Sequence, residues 1–143
     1  MKTIKQLIET SPRTPIGIAP GDTVLAALKL MAEKGIGAVV VMDGDKLAGI
    51  FSERDYARKV VLFGKNSTDT KVAEVMTEKV FYVSPEHTVE QVMALMTDKR
   101  IRHMPVLDAQ QRVLSLVSLG DMVKETIAEQ AFKIEQLERY IAG

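Results

Sequence analysis

The chain of 143 residues states one pattern twice. Residues 16–58 return as residues 81–124. Pro20, Thr23, Val24, Leu30, Met31, Lys34, Ile36, Val41 and Asp43 recur 65 positions later as Pro85, Thr88, Val89, Leu95, Met96, Lys99, Ile101, Val106 and Asp108. One extra residue in the second turn moves the offset to 66, so Ser52 and Asp55 recur as Ser118 and Asp121. A unit of this size is a supersecondary element too small to bury its own apolar face, so two copies must share their packing. Duplication also predicts two related clefts where the copies meet. The polar strings at 52–55 and 118–121 are therefore the places to look for function.

A chain of this length forms one domain with a real core. Nineteen Lys and Arg balance nineteen Asp and Glu, so no overall field draws the protein to nucleic acid or an anionic membrane. The absence of cysteine excludes disulfides and thiolate metal sites and suits a reducing compartment. Residues 1–9 carry no apolar run of the signal-peptide kind, and no apolar stretch of about 18 residues occurs. The expectation is a cytoplasmic protein with neither membrane nor nucleic acid as partner.

Apolar Ile4, Leu7 and Ile8 predict a short amphipathic helix, which the Pro-rich stretch at 11–15 breaks. A short strand follows at 16–18. Asp22 or Thr23 can cap a helix running to about Lys34, with Val24, Ala27, Leu28 and Met31 on one face and Gly35 and Gly37 at its end. Residues 38–42 are a buried strand. Asp43, Gly44 and Asp45 turn it into a partner at 46–51, and Ser52 opens a helix through about Val61. The second copy predicts a strand at 81–83, a helix at 88–99 and a hairpin of 103–107 with 113–117. Between the copies, residues 63–70 read as a polar linker, and Val72, Val75 and Met76 match the N-terminal helix. The last helix runs from Ser118 or Leu119 to about Tyr140, with Ile127, Ile134 and Ile141 seven apart and Leu137 between. Its apolar stripe packs on its own domain or forms a dimer contact. Met31, Met93 and Met96 read as core filler. Asp43, Asp45 and Asp108 read as turn residues rather than metal ligands.

Ser52 with Asp55, and Ser118 with Asp121, each place a capping serine three residues before an acid at a helix start, which is a capping-box pattern. A second reading has each carboxylate accept two hydrogen bonds from a ribose diol, with the helix-start amides beside the ligand's polar atoms.

The order β-α-β-β-α, twice, resembles a tandem pair of cystathionine-β-synthase (CBS) domains, a Bateman module. The resemblance rests on residues 49–55, Gly-Ile-Phe-Ser-Glu-Arg-Asp, and 115–121, Ser-Leu-Val-Ser-Leu-Gly-Asp, with Ile101, Arg102, His103, Met104, Pro105 and Val106 as a second-strand string. The second copy departs by placing Ser115 where glycine is common. The resemblance implies an α/β (α+β) fold of two pseudo-symmetric repeats packed sheet to sheet, with a short N-terminal and an extended C-terminal helix. The repeats are expected over residues 1–66 and 67–143, as a free-standing pair of bacterial type.

It also implies two clefts, each joining the Ser and Asp of one copy to strands of the other. One combines Asp55, Ser52 and Ile50 with Tyr82, Ile101 and Arg102. The other combines Asp121, Ser118 and Leu116 with Gly17, Ile36 and Gly37. Main-chain groups at 36–37 and 101–102 would read an adenine edge, while Ile50 and Leu116 press on its face. Arg102 and His103 correspond to Gly37 and Ala38, and Arg54 to Gly120, so positive charge belongs to one cleft only. Family members use the position of Arg102 to meet phosphates, which the planar guanidinium fork suits. His103 would make that contact pH-dependent. The clefts are expected to differ in affinity, one even standing empty.

No catalytic string occurs: only His87 and His103 supply imidazoles, and HExxH, GxSxG and GxxxxGK[ST] are missing. Equivalent Asp55 and Asp121 suit duplicate binding sites better than a divided acid and base. The expectation is a non-enzymatic sensor without catalytic cofactor or metal. It would bind AMP, ADP, ATP, NAD or S-adenosylmethionine and signal occupancy to a protein partner. The alternative is a dimeric scaffold with vestigial clefts. A homodimer of two pairs in a flat disc is implied by the resemblance. Leu28, Leu30, Val92 and Leu95 spread wider than one core face needs, which is compatible with a helical interface.

Overall fold

The computed structural model describes residues 2–12 and 15–142, without the side chain of Ala142. The break expected at 11–15 includes Arg13 and Thr14, which lie outside the described residues. Helix α1 spans Ile4–Thr10, followed by β1 (Gly17–Ile18), α2 (Val24–Lys34), β2 (Ala38–Asp43), β3 (Lys46–Ser52) and α3 (Glu53–Asp55). The second half holds α4 (Val72–Val75), α5 (Val89–Lys99), β4 (His103–Leu107), β5 (Val113–Ser118) and α6 (Leu119–Ala142). This is the expected mixed α/β fold with a long last helix.

Local chemistry sets the boundaries. Thr23 caps α2, its Oγ1 accepting from the Ala26 N–H at 3.1 Å, while Asp22 instead accepts from the Ala19 N–H at 2.9 Å. Thr88 and Gln91 form a reciprocal capping box on α5. The helix expected from Ser52 to Val61 begins as α3 but continues as a π-helix over Tyr56–Val61. Its wider turn is marked by the Lys65 N–H donating to the Val60 carbonyl at 2.9 Å and the Leu62 N–H donating to the Ala57 carbonyl at 3.2 Å.

The two repeats differ at their first strands. In the first, β1 pairs parallel with β2, which pairs antiparallel with β3. In the second, β4 and β5 form a hairpin, and the strand expected at 81–83 is reduced to one bridge between Val83 and Val106. Proline explains the difference. The Val40 N–H donates to the Ile16 carbonyl at 3.1 Å, and Pro105 occupies the position equivalent to Val40 with no N–H to donate.

The core has two centres, and each borrows a helix from the other half. Val24, Ala27, Met31, Val39, Val41, Phe51 and Val60 pack with Val72 and Val75 of α4. Val83, Val89, Val92, Met96, Met104, Val106, Val117 and Met122 pack with Ile4 and Leu7 of α1. Matching backbone bonds fasten the exchange: the Ile4 N–H donates to the His87 carbonyl and the Val72 N–H to the Asp22 carbonyl, both at 2.8 Å. Val92 is thus a core residue rather than part of an interface.

Helix α6 departs from one expectation for its tail. Ile127, Ile134, Leu137 and Ile141 are 57–83% exposed, so the stripe does not pack on its own domain.

The C-cap of α5 stores a small strain. Arg100 has φ 55° where its counterpart, Gly35, has φ 65°. A side chain in the left-handed region costs about 1 kcal/mol relative to glycine. Arg100→Gly is expected to raise the midpoint of chemical denaturation by roughly 0.5–1 kcal/mol of stability, and Gly35→Ala to lower it by a similar amount.

Candidate functional site

Strand β3 ends at Ser52, and the chain turns at once into α3, so the start of the helix lies beside Gly37, whose carbonyl accepts from the Glu53 N–H at 3.0 Å. The Asp55 N–H donates to Ser52 Oγ at 3.2 Å. In return the Ser52 N–H and hydroxyl donate to Asp55 Oδ2 at 3.0 and 3.1 Å. The capping reading of this string is therefore correct for the chain by itself. The same reciprocal pair forms at Ser118 and Asp121, at 2.9 and 3.1 Å.

Asp55 also engages its second oxygen. Thr77 Oγ1 donates to Asp55 Oδ1 at 3.0 Å, and Lys59 Nζ pairs with the same atom at 3.1 Å. Asp55 is 7% exposed. Thr77 reaches it because the segment after α4 lies against β3: Ile50 and Thr77 exchange both backbone hydrogen bonds, at 3.0 and 2.9 Å. That approach is close. A Cβ at Gly49 would stand 2.7 Å from the Thr77 carbonyl oxygen and 2.9 Å from Met76 Sδ.

Above this floor lies a cavity of about 710 Å³, large enough for a nucleotide-sized ligand. Ile50, Ser52, Arg54 and Asp55 line it from the first repeat, and Ile101, Arg102 and His103 from the second. Glu53, Arg58, Lys59 and Thr77 also line it. Sequence reasoning missed these four. Arg58 and Lys59 follow Asp55 by three and four residues, a spacing that puts them on one helix face and could have revealed them. Thr77 comes from the connecting segment, and no periodicity signals it.

Tyr82 stands apart from this group, half-exposed beside Lys46, Leu47 and Glu78 at another depression. Of the other expected set, Gly37 lines the same cavity, whereas Gly17, Ile36, Leu116, Ser118 and Asp121 do not. Gly37 and His103 meet near the centre, where a Cβ on Gly37 would be 3.4 Å from His103 Cε1. Arg54 crosses to the other repeat, its Nη1 donating to the Arg100 carbonyl at 2.9 Å.

Four guanidinium or ammonium groups, those of Arg54, Arg58, Lys59 and Arg102, face only the carboxylates of Glu53 and Asp55 around this space. The cavity is cationic in a chain of zero net charge. Burial pushes the His103 imidazole below its ordinary range, outweighing Asp121 and Glu53, which pull it up, while Arg102 adds to the lowering. Folding therefore favours neutral His103, so its contribution to stability is full above about pH 6.5 and is lost as pH falls through the lowered native value. Melting followed between pH 7.5 and 5.5 is expected to show a smaller loss of Tm for His103→Ala than for the parent chain.

Among the described residues no group of three or more His, Asp or Glu is arranged to hold a metal ion, and no helix is long and apolar enough to cross a membrane.

A family model for the CBS domain matches the chain twice, at residues 5–62 and 72–127. A solved CBS-domain protein from Burkholderia ambifaria MC40-6 is 51% identical, with a TM-score of 0.86 over 90% of this chain and 96% of that one. The mitochondrial CBS domain-containing protein CBSX3 of Arabidopsis thaliana is 42% identical over 85% of this chain, which spans 61% of that relative's length. A more distant solved structure, 23% identical with a TM-score of 0.79, covers 90% of this chain and 98% of its own. It is the CBS domain pair of protein MJ0100 in complex with 5′-methylthioadenosine and S-adenosyl-L-methionine.

Proposed function

The chain belongs to the CBS-domain family, as a tandem pair, and from that premise we propose that it is a regulatory module for an adenosine-containing ligand. Occupancy of the cleft biases the arrangement of the two repeats, and a protein partner senses the change. The observation that carries this reading is the cavity shared by both repeats. It joins a buried carboxylate at a helix start to cations supplied by both halves.

In this reading Asp55 takes the ribose diol, the main chain at Ile101 and Arg102 meets the adenine edge, and Ile50 lies on its face. Arg102 and Arg58 meet phosphate. The surplus of positive charge favours AMP, ADP, ATP or NAD over S-adenosylmethionine, whose sulfonium adds a like charge. The second cleft, with Asp121, Ser118, Leu116, Gly17, Ile36 and Gly37, lacks the counterpart of Arg102 and binds more weakly. The MJ0100 complex supports the adenosine class. Action in the cytoplasm, as a homodimer and without catalysis, completes the proposal.

Calorimetric titration with AMP, ATP, NAD and S-adenosylmethionine tests it, on the parent chain and on Asp55→Ala and Asp121→Ala. Micromolar binding of a phosphate-bearing ligand, lost in Asp55→Ala, is expected. Silence from all four ligands rejects the reading. A scaffold with vestigial clefts is then the better account, and the exposed face of α6 is the observation in its favour.

A further inference from the structure

The last half of α6 stands largely clear of the other described residues. Every residue from Gln130 to Ile141 is exposed. Ion pairs between Glu129 and Lys133 and between Glu135 and Arg139 run along its own surface. An isolated helix of about 12 residues is marginal in water, because nucleation is costly and each turn adds little. Its sequence is nevertheless regular and apolar on one side.

That side has the spacing of a coiled coil. Val123, Ile127, Gln130, Ile134, Leu137 and Ile141 follow one another at intervals of four, three, four, three and four. They are d, a, d, a, d and a of a heptad, with Ile at every a position and Leu137 at d, the combination that favours two parallel strands. At 100° per residue this stripe lies opposite the side of α6 that faces α1, where Lys2 pairs with Glu125 at 2.7 Å and Phe132 lines a shallow groove. The helix can thus dock on its own domain and on a partner at once.

We propose that the stripe is covered by the same stripe of a second copy of this chain, the two α6 helices winding into a parallel, in-register coiled coil. Two features select this occupant. Lys133 falls at g and Glu138 at the following e, so a parallel pair sets Lys133 of each copy against Glu138 of the other, twice. An antiparallel pair would set g against g and e against e: Glu138 would then meet Lys124, but Lys133 would face the like charge of Lys133 on the other copy. Gln130, the one polar residue of the stripe, faces its own equivalent only when the helices are parallel and in register. There the two amides can hydrogen-bond, whereas an antiparallel pair buries each against an isoleucine.

The chain has no cysteine, so single thiols report this geometry cleanly in the full-length protein. Leu137→Cys, at d, is expected to form a disulfide-linked dimer on mild oxidation, and Arg139→Cys, on the outer f position, is not. Lys133→Glu added to Leu137→Cys should weaken association about tenfold, read as the protein concentration for half-maximal cross-linking. The exchange Lys133→Glu with Glu138→Lys should restore it. No dimer from Leu137→Cys, equal yields from both thiols, or indifference to Lys133→Glu would each overturn the proposal. Circular dichroism of every variant separates loss of pairing from loss of folding.

Discussion

Asp55→Ala is expected to weaken binding of the preferred adenosine ligand by about 100-fold or more. A ribose diol donates to a carboxylate through charge-assisted bonds of roughly 1.5–3 kcal/mol each, and the substitution removes the acceptor of both. The native carboxylate is already engaged, with Thr77 and Lys59 on Oδ1 and Ser52 on Oδ2. Ligand must therefore share or displace the Lys59 ammonium, whose side chain is 41% exposed and which also donates to Thr77 Oγ1 at 3.4 Å. Alanine also removes the reciprocal cap, a loss of about 1 kcal/mol in stability. Asp55→Asn separates the two effects, because the amide oxygen still accepts from the Ser52 N–H while the charge is gone. Calorimetry on both variants, with melting curves beside it, decides the matter. Unchanged affinity in Asp55→Asn and Asp55→Ala would remove this cleft from consideration.

Gly49→Ala carries the second large effect, on stability and binding together. Glycine is required here by proximity rather than by backbone angle, since a Cβ at 2.7 Å from a carbonyl oxygen cannot be accommodated without moving backbone. Displacing Thr77 breaks both of its hydrogen bonds with Ile50 and withdraws its hydroxyl from Asp55. Two backbone bonds at about 1 kcal/mol each, with the strain of overpacking, give an expected loss of roughly 2–4 kcal/mol. Urea unfolding measures it, and a loss below 0.5 kcal/mol, as flagged by the usual scatter of surface substitutions, would show that the segment yields easily. The second repeat places Ser115 at this position. It is fully buried, and its hydroxyl has no hydrogen-bond partner among the described residues.

Much of this architecture was legible in the sequence, because caps and turns are local. Thr23, Thr88 and Ser52 mark helix starts by chemistry that needs only three following residues. The buried runs Val39, Val40 and Val41, and Met104 and Val106, declare central strands. The expected strand at 81–83 failed for a reason also written locally, in Pro105, but its effect falls on a partner more than 20 residues away and repeat symmetry argued against it. For the site, the pairing of Ser52 and Asp55 with Ile101 and Arg102 followed from the family resemblance, and the cavity lining brings them together. Thr77 and the place of Tyr82 depend on how a connecting segment lies in space. Periodicity carries no information about that.

The crossing of α1 and α4 between the two core centres bears on how such a molecule can exist at all. A lone repeat could reach this packing only as two chains trading their first helices, an assembly that falls apart on dilution. Tying both repeats into one chain makes the trade internal, so the helix and its berth meet at an effective concentration set by the connecting segment rather than by the amount of protein. Dilution then leaves both centres closed.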